Sequence, residues 1–315
     1  MSADHVGGRA DMRLISILPV LASLSVLAAA PTRAAETPEV PVLLRLGVVS
    51  AVNGRVAGLP ATDRLEPFRR RLATALQKPV VLAPQPDGRA LVAALVAGRL
   101  DYALLSASGF AAAERACHCL EPLAAPRAAD GATGWRATVV VRGDSTLRDV
   151  ADLKGKSLAA PGSDAFSGRA YAFAALAKAG AAEADIGRVD PASGPEAAAR
   201  AVAERRADAA LIWLPDAGAS AATAPRGPLA LLAEHGGLPP EGLRPLWQSP
   251  PVPHGPHAVR ADLPSAWRVR LRDLLVNLKS DDPDAYDAVE PDLGGGFVVI
   301  DKAAYAPLGD ALPAR

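Results

Sequence analysis

Cys117-His118-Cys119 packs two thiols and an imidazole into three residues. Soft thiolates with an imidazole can grip copper, zinc or a trivalent metalloid ion. A complete site needs ligands from elsewhere, because adjacent side chains in a strand point to opposite faces. In an oxidising compartment the same pair has plainer outcomes, a disulfide or a pair of surface thiols. A second group lies in Ala159-Ala160-Pro161-Gly162-Ser163-Asp164-Ala165-Phe166-Ser167-Gly168, which leads from a strand into an Ala-rich helix ending near Gly180. Ser167, Gly168 and Arg169 fall in that helix's first turn. Unpaired N–H groups there suit an anion, although Ser and Gly also belong at helix caps without any ligand.

Signatures of catalysis are missing. Ser108-Gly109 has Ser106, not glycine, two residues before the serine, so it is no nucleophile elbow. Leu153-Lys154-Gly155-Lys156-Ser157 resembles a phosphate-binding loop, but Val150 stands where its first glycine belongs. The five histidines, His5, His118, His235, His254 and His257, show no metalloprotease spacing. With no nucleophile–base pair, an enzyme is not expected, and nothing calls for a cofactor.

These residues need a scaffold, and the sequence reads as alternating strands and helices. Leu43–Val49 is a short apolar strand ended by turn residues. Asp63 can cap a helix carrying Leu65, Phe68, Leu72 and Leu76, with Pro79 marking its end. Val80–Leu82 is a strand, Asp87 caps a helix bearing Leu91, Ala94 and Leu95, and Gly98 suits its left-handed end. Tyr102–Leu105 is the third strand. Strand–helix–strand succession with short connections implies a mostly parallel sheet covered by helices. A similar unit returns: Ala94–Asp101 followed by a strand parallels Ala201–Asp208 followed by Ala209–Ile212. That suggests two lobes, each with its own sheet. Arg136–Arg142, between them, is a strong strand.

Composition narrows the partners. The 315 residues carry 34 Lys+Arg against 34 Asp+Glu, so no global basic surface exists for a phosphate backbone, and nucleic acid is not expected as a partner. Two cysteines cannot build a disulfide scaffold or a four-thiolate zinc site. Arg13 precedes an apolar stretch from Leu14 to Ala30, and Pro31-Thr32-Arg33-Ala34 offers small residues for cleavage after Ala34. That is the pattern of a signal peptide over residues 1–34. Pro19 interrupts the stretch and no basic stop-transfer cluster follows, which argues against an anchor. Its removal takes three Arg and two Asp, leaving a charge of −1. Export makes the mature chain periplasmic.

Val141-Arg142-Gly143-Asp144-Ser145, Leu147, Leu153-Lys154-Gly155-Lys156 and Leu158-Ala159 together resemble a passage of periplasmic solute-binding proteins of ABC transporters. More narrowly the sequence is similar to the phosphate/phosphite/phosphonate-binding family. Leu46-Gly47-Val48, Gly98-Arg99-Leu100-Asp101, Trp247–Pro253, Gly296–Asp301 and Tyr305-Ala306-Pro307 agree in order. The resemblance covers residues 43–308 and implies an α/β, type II periplasmic binding protein fold. Its two lobes would be residues 42–136 with 246–315, and residues 137–245, each a mostly parallel sheet flanked by helices. A small anionic ligand, a phosphate- or phosphonate-like oxyanion, would be captured between them and passed to an ABC permease, with the protein acting as a monomer. The alternative is a ligand sensor for a membrane kinase, binding a metal or metalloid through Cys117, His118 and Cys119.

The resemblance also places the cleft. Ligands sit beyond the carboxyl ends of strands in such folds. Ser167, Gly168 and Arg169 would donate from lobe two, with Ser163 and Phe166 in the same loop, while Asn53, Ser106 and Ser108 line lobe one. Glu196 and Trp213 would shape specificity, and Phe110 stands where the family's cleft tyrosine is expected. The family's Ser-Thr-Ser-Gly is here Ala165-Phe166-Ser167-Gly168, two hydroxyls short. Phe110, Phe166 and Trp213 would make the cleft more apolar, suiting a larger or less charged ligand.

Overall fold

A computed structural model describes residues 41–49, 55–56, 59–162, 168–216, 227–239 and 241–311. The expected signal peptide lies outside these residues. No helix among those described is long and apolar enough to cross a membrane.

β1 (Leu44–Val49) puts Leu44, Leu46 and Val48 on one buried face, as alternation demands. A small hairpin, β2 (Arg55–Val56) and β3 (Leu59–Pro60), leads into α1 (Ala61–Arg64) and α2 (Glu66–Leu76). α2 buries Phe68, Leu72 and Leu76, spaced four apart, and ends at Gln77 in a left-handed conformation. The single helix expected from Asp63 is thus two, with the longer one starting after Leu65. β4 (Val80–Gln85) follows, and then Asp87 accepts from the Ala90 N–H at 2.7 Å to start α3 (Gly88–Val96). β5 (Tyr102–Leu104), α4 (Ala107–Cys117) and β6 (Leu120–Ala128) complete this stretch.

The chain then builds a second sheet. β7 (Gly134–Arg142) leads to β8 (Ser157–Pro161), α5 (Arg169–Lys178), β9 (Arg188–Ala192), α6 (Pro195–Ala203) and β10 (Ala209–Pro215). α7 (Pro228–Glu234), β11 (Leu243–Gln248) and β12 (Val252–Pro253) follow. The return to the first sheet brings β13 (His257–Arg260), α8 (Ser265–Asp281), α9 (Pro283–Val289), β14 (Gly294–Val298) and α10 (Ala306–Ala311).

The first sheet has the order β14-β6-β13-β5-β1-β4, and the second β11-β7-β10-β8-β9, with β12 also on β7. In the first, β1 is parallel to β4 and β5; in the second, β8 is parallel to β9 and β10. Each sheet is covered on both faces. α2, α8 and α9 bury one face of the first sheet, while α3, α4 and α10 bury the other. α5 covers one face of the second sheet and α6 with α7 the opposite one. Tyr171 and Ala175 of α5 pack with Phe110, Tyr305, Leu308 and Ala311, so one apolar cluster links helices from both halves.

The strands change sheets at residues 129–133 and 254–256. Arg136 and Leu246, where the expected lobe boundaries fell, both lie inside strands of the second sheet. Those boundaries ran through apolar strand residues, whereas the chain crosses in turn-rich segments on either side.

The repeated unit is real in three dimensions. Asp101 accepts the Arg45 N–H at 2.8 Å, and Asp208 accepts the Ser157 N–H at 2.8 Å. Each aspartate therefore ties the end of a helix–strand corner to the first residues of a neighbouring parallel strand.

Candidate functional site

Both crossovers join the same edges of the two sheets. β13 is antiparallel to β5 and to β6, so β6 runs with β5 and ends at the edge where β5 ends. Five residues later β7 opens, its Trp135 opposite Pro215 at the carboxyl end of β10. The return starts at Pro253, paired with Gly134, and reaches His257, paired with Leu104 at the carboxyl end of β5. Three residues span at most roughly 11 Å. The crossovers touch: the His254 N–H donates to the Thr133 carbonyl at 3.1 Å. Gly255 lies so close to the turn after β5 that a Cβ would come within 2.0 Å of the Leu105 oxygen. The carboxyl edges of β1, β4 and β5 therefore face those of β8, β9 and β10 across a short hinge.

Two helix N-termini meet this cleft. Ser106, exposed at the exit of β5, accepts from the Gly109 N–H at 3.0 Å and caps α4; Ser108 sits half-buried in its first turn. Across the cleft, Gly168 is the N-cap of α5 and has no side chain to spend on the first-turn N–H groups. Two further N-termini on these edges are less suited to an anion, because the Asp87 side chain caps α3 and Glu196 puts a carboxylate in the first turn of α6. Asn53, Ser163, Phe166 and Ser167 lie outside the described residues.

The sequence profile of a family described as ABC transporter, phosphonate, periplasmic substrate-binding protein matches residues 60–305. The chain belongs to that family. It is a solute-binding protein of an ABC transporter, in a family of transport components rather than enzymes. No curated protein matches the sequence. Among solved structures, a Xanthomonas citri protein bound to ATP is 19% identical with a TM-score of 0.62, over 86% of this chain and 96% of that one. PhnD1 from Prochlorococcus marinus, in complex with methylphosphonate, is 15% identical with a TM-score of 0.55, over 86% and 97%. A binding-protein component of a Pseudomonas aeruginosa ABC phosphonate transporter is 18% identical with a TM-score of 0.53, over 85% of each chain. The fold is thus the two-lobe α/β fold of periplasmic binding proteins.

Several residues expected in the binding protein's cleft are employed elsewhere. Phe110 is fully buried in the core, its ring 4.8 Å from that of Tyr305. It faces inward because α4 buries Ala107, Phe110, Ala111 and Ala113 along one stripe. The Arg169 guanidinium donates to the Pro161 carbonyl at 3.2 Å and to Glu183 at 2.9 Å, and lies over the Phe173 ring. It ties the start of α5 to the end of β8 instead of offering a free charge. Glu196 bonds His235 at 2.8 Å and Arg200 at 2.7 Å, and these partners hold its carboxyl below the usual range. It fastens α6 to the end of α7.

The sulfurs of Cys117 and Cys119 are bonded to each other, which removes the thiolates a metal or metalloid would need. His118 between them is the left-handed cap of α4, and no group of three metal-ligating side chains occurs among the described residues. Trp213 is half-buried at the cleft end of β10, packed on the core beneath α5 beside Trp135. Sequence reasoning missed Arg136, which donates to Asp216 at 2.7 Å and to the Ser249 carbonyl at 3.0 Å. It ties the exits of β10 and β11 together at the cleft edge. An arginine opening an otherwise apolar strand was its one signal.

Proposed function

We propose that this binding protein captures a small anionic ligand, a phosphate- or phosphonate-like oxyanion, between the facing edges and delivers it to an ABC permease. The observation that carries the reading is the pairing of two helix N-termini, α4 from the first sheet and α5 from the second, on opposite sides of one hinge. Each presents first-turn N–H groups and the positive end of a helix dipole. An anion held by both stabilises the closed arrangement by its differential affinity, which is what closure requires.

Ser106, Ser108 and Gly168 are the described contributors, and Asn53, Ser163, Phe166 and Ser167 complete the set the reading assigns. Trp213 narrows the second-sheet side and favours an organic substituent on the oxyanion. Residues 1–34 direct export to the periplasm, and the mature protein works as a monomer without catalysis. One lobe comprises residues 42–128 with 257–311, the other 134–253.

Thermal shift of the chain against phosphate, phosphite, methylphosphonate, an alkanesulfonate and ATP tests this. A ligand at about 100 times its dissociation constant adds roughly 2.7 kcal/mol of stability. At least one oxyanion raises Tm, and S167A weakens that ligand. No shift with any of them would overturn the oxyanion reading.

A further inference from the structure

Each crossover carries one half-buried ionisable group that the ligand reading does not use. Asp130, on the first, spends Oδ1 on the Ala132 N–H at 2.9 Å, and its buried Oδ2 has no hydrogen-bond partner among the described residues. The same holds for the buried Nε2 of His254, on the second. Folded proteins rarely leave such atoms unpaired. Here one orphan is an acceptor, a protonated ring makes the other a charged donor, and they sit on the two segments that join the sheets.

Burial pushes the His254 ring down to about 4, and Asp130 is the charge that opposes this. The other titratable groups packed here are neutral. The Tyr305 hydroxyl donates to the His254 carbonyl at 2.8 Å, and burial pushes its phenol up. His257, at the end of the crossover, is pushed down to about 3 and bonds the Tyr102 hydroxyl at 2.5 Å.

We propose that Asp130 and His254 form a proton-operated latch: rotation about the crossovers joins Nε2 to Oδ2, and the joined arrangement is favoured when the ring is charged. The inference rests on the two-lobe capture reading, which supplies the rotation. A ring that regains its ordinary value of 6.5 when latched shifts the balance about tenfold toward the latch for each pH unit between 6.5 and 4.

Small-angle X-ray scattering of the ligand-free full chain at pH 7.5 and 5.0 reads this out. The wild type changes its radius of gyration between the two, and D130N and H254Q each abolish the change. D130N, which keeps the shape of the side chain, decides the matter if H254Q does not fold. A wild type indifferent to pH, or a response retained in D130N, overturns the latch. Methylphosphonate at pH 7.5 is the separate arm: contraction with it in a pH-indifferent wild type refutes the latch and leaves capture standing.

Discussion

The corner from α3 into β5 is Ala97-Gly98-Arg99-Leu100-Asp101; the corner from α6 into β10 is Glu204-Arg205-Arg206-Ala207-Asp208. Their backbones follow one path. Gly98 and Arg205 both take the left-handed conformation, at φ 70° and 58°. Arg99 N–H donates back to Ala94, and Arg206 N–H to Ala201. Asp101 and Asp208 each exchange hydrogen bonds with a residue of the adjacent strand, Arg45 and Ser157 respectively. What differs is the side chain each aspartate meets. Asp101 is buried and bonds the Arg45 guanidinium, with Nε at 2.8 Å, whereas Asp208 is exposed and takes the Ser157 hydroxyl at 2.8 Å. An acceptor for an N–H at the start of a strand is the fixed requirement. The charge that accompanies it is local.

That difference predicts a ranking. D101A leaves the corner without its ion pair and two hydrogen bonds, and costs about 3 kcal/mol, since Arg45 keeps some access to water. D208A at an exposed site costs about 1 kcal/mol. Urea unfolding of both variants checks the order; equal losses would mean that the buried pair adds nothing.

A second contrast concerns acid. His257, inside the first sheet, is held neutral by burial, with a folded value of about 3 against 6.5. Between those values the unfolded chain binds the extra proton, so stability falls as pH drops below 6.5. Around the second sheet, Asp208 is held below 3.8 by the Ser157 N–H and hydroxyl, so its contribution is lost only below about that pH. Hydrogen exchange corrected for intrinsic rates therefore shows β5 and β13 weakening between pH 6.5 and 5 while β8 and β10 hold. Equal weakening in both would show that the halves unfold together.

The smallest effects lie at the left-handed residues. G98A costs about 1–2 kcal/mol, because a Cβ is disfavoured in that conformation. R205G gains no more than about 1 kcal/mol, as relief there is offset by glycine's entropy in the unfolded chain. A loss on R205G would show that its ion pair with Asp144 governs that corner.

Gly98, Asp87 and the Ala94–Asp101 repeat were readable because each advertises a local backbone need. The left-handed Arg205 was not, since nothing in an arginine announces positive φ. Gly168 was readable at the start of α5, because helix starts follow strand ends in this topology. Arg169 and Glu196 misled for a common reason: a sequence shows a charge but not the neighbour that occupies it. Glu183 lies fourteen residues from Arg169, and His235 thirty-nine from Glu196. The crossovers were hidden by the strong apolar strands beside them, which drew the lobe boundaries into β7 and β11.

The Cys117–Cys119 bond closes a ring across one intervening residue. A loop that short removes little freedom from the unfolded chain, so the bond adds little stability by that route. Its consequence is combinatorial. With two cysteines in the whole sequence, one intramolecular pairing exists, and the partners are neighbours before any folding has occurred. Oxidation of a single chain therefore has no wrong isomer to escape, and once it has happened no thiol remains to couple one molecule to another.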